Sequence, residues 1–460
     1  MDKKCNRRDF LKTTGFQGLG LTLGSIGLAG YAGGRVKAAA ETTDAKPAVK
    51  PLVDIVGGPQ IKIGFVGVGG MGSNHVKNLL KIPGVQLRAV CDIVPQKVAR
   101  IQDWTEKAGQ PKPAGYSRGE TDFKRMCQTE DLDLVYTATP WRWHVPVCVE
   151  AMKTGKHAAT EVPAAVTIEE CWKLVETSEK TGKHCVMMEN CCYDETELMI
   201  LNMVCKGLLG EVLHGECGYL HDLREVKFSK WGEGLWRTEH SIKRNGNLYP
   251  THGVGPIAQC MDINRGDKFD YMVSISSSSR GLQLYAAKHL DKNDPRAKQN
   301  YALGDINISV IKTFKGRTII VKHDCNLPRP YSRDILLQGT KGVVRKYPEA
   351  KIHIEGISPA HAWEPLDKYE KEYQHPLWKA MKKLAEGAGH GGMDFIEDYR
   401  LIKCLRTGEP MDMDVYDAAS WSAISELSEK SVARMGESVK FPDFTRGKWK
   451  TNKPLGIITS

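Results

Sequence analysis

Apolar and polar positions change their period midway along the chain, and the change predicts two different kinds of sheet. From Ile61 to Glu189, short apolar runs alternate with stretches whose apolar residues recur at helical spacing. Ile61, Ile63, Phe65 and Val66 form the first run; Gln86–Cys91, Asp133–Ala138, His157–Thr160 and His184–Met188 form the later ones. Strands apolar on both faces are buried on both faces. Between them His75–Leu80, His144–Lys153 and Thr167–Thr181 read as helices, the last with Ile168, Cys171, Trp172 and Val175 on one side and Gly182 as its stop. The alternation predicts a doubly wound parallel sheet over 61–190, whose ligands bind beyond the carboxyl ends of the strands. Those ends are Gly67, Asp92, Thr139-Pro140, Glu161 and Glu189-Asn190.

Over 191–460 the grain differs. Val212–His221, Phe269–Ser279, Asp305–Phe314, Thr318–Asp324, Asp334–Gln338 and Lys351–Glu355 read as strands, several with period-two alternation and tight turns such as Lys315-Gly316-Arg317. Consecutive strands without helices between them predict a mostly antiparallel sheet. One face of it should cover the parallel domain, and the other is left to solvent or a subunit interface, so a homo-oligomer is one expectation. The fold class expected is α/β: an N-terminal Rossmann-type doubly wound sheet plus a C-terminal α+β domain with a large open sheet.

The first strand runs into Gly67-x-Gly69-x-x-Gly72 and then into a helix. Glycines let a strand turn sharply into a helix, so that backbone amides and the helix N-terminus approach a pyrophosphate. Chance alone produces this spacing in a chain with 45 glycines. The context makes it informative, because the next apolar run ends in Asp92, where an acid meets the ribose hydroxyls and disfavours a ribose phosphate. NAD is the cofactor expected.

Composition removes other classes. At 460 residues and 41% hydrophobic, the chain can bury a core. A net charge of +10 is spread among interspersed acids, with no basic stripe interleaved with aromatics, so nucleic acid is not an expected partner. Thirteen cysteines lie mostly in apolar runs without metal-site spacing, so no metal is expected. Asn6-Arg7-Arg8-Asp9-Phe10-Leu11-Lys12, a glycine-rich apolar segment and Ala38-Ala39-Ala40 resemble a twin-arginine export signal over 1–40, followed by a linker over 41–60. Export to the periplasm or cell surface, without a stable membrane span after cleavage, is the expectation.

The order of GxGxxG, Asp92, Thr139-Pro140-Trp141-Arg142-Trp143-His144 and Glu161-x-Pro163 resembles the glucose-fructose oxidoreductase and inositol dehydrogenase superfamily. Most members carry lysine where this chain has Val162. That departure, together with Glu189-Asn190-Cys191-Cys192-Tyr193, Gly218–Asp222, Trp236-Arg237, Tyr249-Pro250-Thr251-His252-Gly253 and Arg329-Pro330-Tyr331-Ser332, resembles glycoside hydrolase family 109, the NAD-dependent α-N-acetylgalactosaminidases.

The resemblance implies hydrolysis of terminal α-linked N-acetylgalactosamine, with retention. Sugar carbon 3 is oxidised, carbon 2 loses a proton, the aglycone is eliminated, water adds, and carbon 3 is reduced again. It also implies roles: Tyr193 and His252 catalytic; Tyr219, Arg237, Tyr249, Pro250, Thr251 and Tyr331 on the sugar; and Gly67, Gly69, Gly70, Met71, Gly72, Asp92, Trp141, Arg142, Trp143, His144, Glu161, Val162 and Asn190 on NAD. Tyr193 is assigned to the carbon 2 proton, which asks for a lowered pKa, and His252 to the carbon 3 hydroxyl. Each has a plainer reading: a packed tyrosine, a histidine capping the next helix, core tryptophans. His157, His184 and His323 read as structural. The competing functions are a sugar dehydrogenase or epimerase with net redox turnover, which Val162 disfavours, and a carbohydrate-binding protein without catalysis.

Overall fold

The computed structural model describes residues 58–230 and 233–459, so the stretch read as an export signal and most of the expected linker lie outside the described residues. The apolar runs form β1 (Ile61–Val66), β2 (Val85–Cys91), β3 (Ala114–Tyr116), β4 (Leu134–Thr137), β5 (His157–Thr160) and β6 (Cys185–Met187). They lie in the order β3-β2-β1-β4-β5-β6, every pairing parallel. Helices α1 (Gly70–Leu79), α2 (Pro95–Lys107), α3 (Asp122–Thr129), α4 (His144–Lys153) and α5 (Ile168–Thr181) connect them. In α5, Thr167 caps the first turn by accepting from the Glu170 N–H, and Gly182 closes the helix at φ 66°.

A second sheet holds β7 (Val212–Leu220), β8 (Phe269–Ser276), β9 (Asn307–Thr313), β10 (Thr318–Asp324), β11 (Leu336–Gly339), β12 (Gly342–Arg345), β13 (Lys351–Ile354), β14 (Glu364–Pro365) and β15 (Val439–Lys440). Its order is β14-β13-β12-β11-β7-β10-β9-β8-β15. All pairings are antiparallel except β7 with β10. Here the expectation of strands without intervening helices is corrected. Helices Arg224–Phe228, Gly234–Lys243 and Thr251–Cys260 lie between β7 and β8, and Gly281–His289 lies between β8 and β9. The first three carry the chain from β7 to β8, three places along the sheet, and β9 and β10 return by antiparallel pairing so that β10 lies parallel to β7.

The inner face of this sheet carries Cys217, Tyr219, Ile311, Ile319, Val321 and Leu337, all buried in the core that also contains β1 and β4. Helix Thr251–Cys260 lies directly on it. Two glycines permit the approach: a Cβ at Gly253 would stand 2.5 Å from the Gly218 backbone nitrogen, and one at Gly255 2.9 Å from Cys192 Sγ and 3.0 Å from Glu189 Cγ. The outer face exposes Ile275, Ile308, Val310 and Tyr271. No described helix is long and apolar enough to cross a membrane.

Candidate active site

The glycine turn has the shape the motif requires. Gly67 takes φ 83°, and a Cβ at Gly72 would meet the Gly67 carbonyl oxygen at 2.0 Å, whereas Gly69 and Gly70 face open space. No side chain caps the N-terminus of α1 and no acid occupies its first turn, so its unpaired N–H groups remain for an anion. Asp92 stands at the end of β2, 8% exposed. Its carboxylate accepts from the Val68 and Val94 N–H groups, both at 2.9 Å, and keeps lone pairs for a ribose. These residues fit the pyrophosphate and ribose of a dinucleotide. Arg100, absent from the sequence reading, braces the turn by donating to the Val68 carbonyl at 2.9 Å and to Ser73 Oγ at 2.8 Å.

Beyond the other strand ends, side chains expected on the cofactor hold one another. His144 points both ring nitrogens at backbone carbonyls, of Pro163 and Thr139, at 2.8 Å each, so it secures two loops. Asn190 donates to Asp394 at 2.8 Å. Glu161 accepts from His75 at 2.7 Å, and the other ring nitrogen of His75 meets Asp398 at 2.9 Å. Burial opposes the charge on His75, but Asp398 and Glu161 overcome it and hold the imidazolium well above its ordinary value. Val162, also expected on the cofactor, is buried at 3% exposure. Trp143 packs edge-on to Phe123, while Arg142 turns outward to Glu120 at 2.5 Å.

The sugar-contact candidates do come together. Tyr219, at the end of β7, has its ring centroid 4.6 Å from Tyr249, 5.3 Å from His252 and 6.2 Å from Tyr331. Trp141 stacks on Tyr249 at 5.7 Å, joining the cofactor side to the sheet side. The Arg237 guanidinium lies 5.1 Å from the Trp141 ring, 4.8 Å from Trp236 and 5.2 Å from Tyr249, and is held by Glu233 at 2.6 Å. Pro250 and Thr251 are buried at the start of the helix that carries His252.

His252 does not cap that helix. Its Nδ1 meets Glu189 Oε1 at 2.7 Å, and Glu189 is fully buried at the end of the parallel sheet. Burial pushes the Glu189 carboxyl up, but the charge and hydrogen bond of His252 prevail and hold it below its ordinary value. The same oxygen accepts the Cys191 N–H at 3.1 Å. Glu189 was quoted in the sequence only as a strand end and as part of the Glu189–Tyr193 motif, without a role of its own; the structure adds its pairing with His252.

Tyr193 stands apart from this group. It is 3% exposed, and its hydroxyl donates to Asp412 at 3.1 Å, while Arg400 grips Asp412 at 2.6 and 2.7 Å. Burial, with the charge of Asp412 added, pushes the phenol well above its ordinary value. The lowered pKa expected of a base is therefore not what these surroundings build, because the adjacent cation is already spent on Asp412. Glu189, Cys191 and His252 bring metal-ligand atoms within 4.8 Å of one another. The bond between Glu189 and His252 already engages that trio.

Residues 193–451 match the family model described as glycosyl hydrolase 109, C-terminal domain, and residues 61–189 match the oxidoreductase family, NAD-binding Rossmann fold. The chain belongs to glycoside hydrolase family 109. This family 109 chain is 47% identical to a glycosyl hydrolase family 109 protein of Shewanella pealeana, covering 99% of both chains. It is 44% identical to a protein of Shewanella oneidensis named alpha-N-acetylgalactosaminidase, covering 98% of this chain and 99% of that one. In fold it is similar to a levoglucosan dehydrogenase solved with NADH and levoglucosan, at TM-score 0.66 and 19% identity over 83% of this chain and 99% of that one. It is a glycoside hydrolase built on an NAD-binding fold.

Proposed function

We propose that this hydrolase removes terminal α-linked N-acetylgalactosamine from glycans, with retention and with NAD kept in place from one turnover to the next. The observation that carries the reading is the His252–Glu189 pair, which stands beside the Tyr219–Tyr249 cluster and at the crevice end of the parallel sheet. NAD, when bound there, supplies a reversible oxidant for a sugar hydroxyl. Gly69, Gly70 and the α1 N-terminus would hold its pyrophosphate and Asp92 its ribose, the acid favouring NAD over its phosphorylated form.

The chain's own residues do the rest. Tyr219, Tyr249 and Tyr331 offer ring faces and edges to the pyranose, and Arg237 offers N–H groups to its oxygens. Glu189 accepts the Nδ1 proton of His252, which leaves Nε2 to take the carbon 3 hydroxyl proton and return it. Tyr193, with its phenol raised and its proton given to Asp412, does not serve as the carbon 2 base in this arrangement and is read as a positioning residue. Val162 presents no amine, which supports a hydroxyl handled by histidine and disfavours a dehydrogenase of the common type. The Asn6–Lys12 motif supports export by the twin-arginine route.

The test is to incubate the purified protein, without added NAD, with chromogenic α-glycosides in heavy water. Aglycone release, deuterium at carbon 2 and no accumulated NADH are expected. Release without deuterium overturns the elimination route, and NADH accumulating with sugar would mark a dehydrogenase.

A further inference from the structure

The sugar-contact cluster has a deep end and a mouth. At the deep end the His252 side chain is 14% exposed and that of Glu189 is fully buried. Tyr219 and Tyr249 are buried as well, whereas Tyr331, at 39%, reaches the surface. A glycan enters such a pocket by its terminal sugar, and the rest of it leaves through the mouth. With carbon 3 at His252, the glycosidic oxygen on carbon 1 faces the Tyr331 side.

His221 stands on that side, two residues on from Tyr219 and on the same face of the chain. Its backbone N–H donates to the Asp324 carbonyl at 2.8 Å, which fixes the base of the side chain. The half-buried ring meets Tyr331 edge-on with centroids 5.0 Å apart, and Tyr219 edge-on at 5.6 Å. Its Nδ1 lies 3.0 Å from the Tyr219 hydroxyl. Tyr219 thus has a histidine ring on either hand, His252 at 5.3 Å and His221 at 5.6 Å.

The bond between Tyr219 and His221 decides where the ring proton sits. Burial raises the Tyr219 phenol well above its ordinary value, further than Arg237 lowers it, so the hydroxyl keeps its proton. Among the described residues that hydroxyl is bonded to His221 alone, so it donates to Nδ1 and leaves the ring proton on Nε2. Burial lowers the His221 ring below its ordinary value, and Arg237 and His252 add to this against Asp222 and Glu233. Both acids are paired, Asp222 with Arg224 at 2.7 Å and Glu233 with Arg237 at 2.6 Å. His221 is therefore a neutral imidazole whose Nε2–H, among the described residues, has no protein acceptor.

We propose that His221 Nε2 donates a hydrogen bond to the glycosidic oxygen and stabilises the negative charge that gathers there as the bond to carbon 1 breaks. The electron pair left on carbon 2 forms the double bond to carbon 1, the carbon–oxygen pair leaves with the aglycone, and the aglycone takes its proton from water at the mouth. The assignment rests on the glycosidase reading above. A donor placed there matters most when the leaving oxygen is strongly basic, as in an alkyl or sugar glycoside, and least for 4-nitrophenolate.

His221→Asn and His221→Gln separate this role from a structural one. The asparagine amide lies near the place of Nδ1 and keeps a partner for Tyr219; the glutamine amide reaches the place of Nε2 and restores the donor. Both variants should keep bound NAD and a Tm close to that of wild type. For His221→Asn, kcat/KM on the methyl α-glycoside of N-acetylgalactosamine should fall about 10²-fold, against about threefold to fivefold on the 4-nitrophenyl glycoside, and His221→Gln should recover most of the loss. In heavy water, unreacted methyl glycoside recovered from His221→Asn should carry more deuterium at carbon 2 per aglycone released than with wild type, because carbon 2 still ionises while departure is slowed. Equal losses on the two glycosides, or no recovery with glutamine, overturn the role. Wild type that releases neither aglycone sinks the glycosidase reading, whereas normal wild-type release with equal losses in His221→Asn sinks this assignment alone.

Discussion

Glu189→Gln is the most pointed change available in this site. The carboxylate is fully buried and takes the His252 Nδ1 proton at 2.7 Å, so the imidazole is held in the tautomer whose Nε2 is an acceptor. Glutamine keeps the shape and removes the charge, and its NH₂ group can donate to Nδ1 and stabilise the opposite tautomer. Losing a charge-assisted hydrogen bond costs about 1.5–3 kcal/mol, a factor of about 10 to 150 in rate if it is needed in the transition state. Imposing the wrong tautomer raises the cost toward the factor of about 10⁴ seen when a histidine-orienting carboxylate becomes an amide in serine hydrolases. The expected result is kcat lowered by about 10² to 10⁴ with KM within about threefold, since Tyr219, Tyr249 and Arg237 are untouched. Steady-state kinetics on a chromogenic glycoside gives the split, and ¹⁵N NMR of the His252 ring gives the tautomer. A folded variant with kcat within about threefold of wild type and an unchanged tautomer would refute the positioning role.

Other expectations follow from the same geometry. Gly72→Ala drives a Cβ to 2.0 Å from the Gly67 carbonyl and should cost about 3 kcal/mol or more with loss of bound NAD, whereas Gly70→Ala meets open space and should fold normally while binding NAD less well; thermal melts and cofactor content separate the two. Tyr193→Phe should cost about 1–2 kcal/mol by stranding part of buried Asp412, so a variant with unchanged Tm contradicts that reading. Asp194 carries a pH dependence. Burial pushes its carboxyl up, but Lys346 and Arg333 bring it down to about 2, so it contributes about 2 kcal/mol that is fully present above its ordinary value of 3.8 and is lost as pH falls through about 2. Urea melts between pH 5 and about 2 should lose that amount, and Arg333→Met should flatten the loss.

Legibility in the sequence followed burial. The parallel strands are buried at most positions and largely apolar, with Lys62, Gln86, Arg88 and His157 among the few exceptions, so β1, β2, β4 and β5 stood out as apolar runs, and the glycine motif marked the turn where the structure has it. The helix Met393–Thr407 was invisible for the opposite reason. It is buried along most of its length yet carries Asp394, Glu397, Asp398 and Arg400 inside, so no polar face alternates with an apolar one. Those buried charges answer His75, Asn190 and Asp412, partners distant in sequence that no local pattern announces. The Glu189–His252 pair was missed in the same way, its members lying 63 positions apart. The tyrosines were legible as a set because their motifs travel together, but the direction in which Tyr193 points depends on Asp412 and Arg400, which no motif included.

The bond between His75 and Asp398 spans 323 positions of sequence. Helix α1, whose N-terminus waits for the pyrophosphate, is therefore anchored by a residue made near the end of synthesis. A ribosome that has delivered the entire parallel sheet has delivered His75 with only one of its two carboxylates, Glu161, and Asp398 still to come. Cofactor capture is thereby tied to completion of the sugar-binding half. Excising residues 61–190 as a stand-alone nucleotide binder should give a chain that collapses around β1 and β4 and holds NAD poorly until residues 393–407 are supplied.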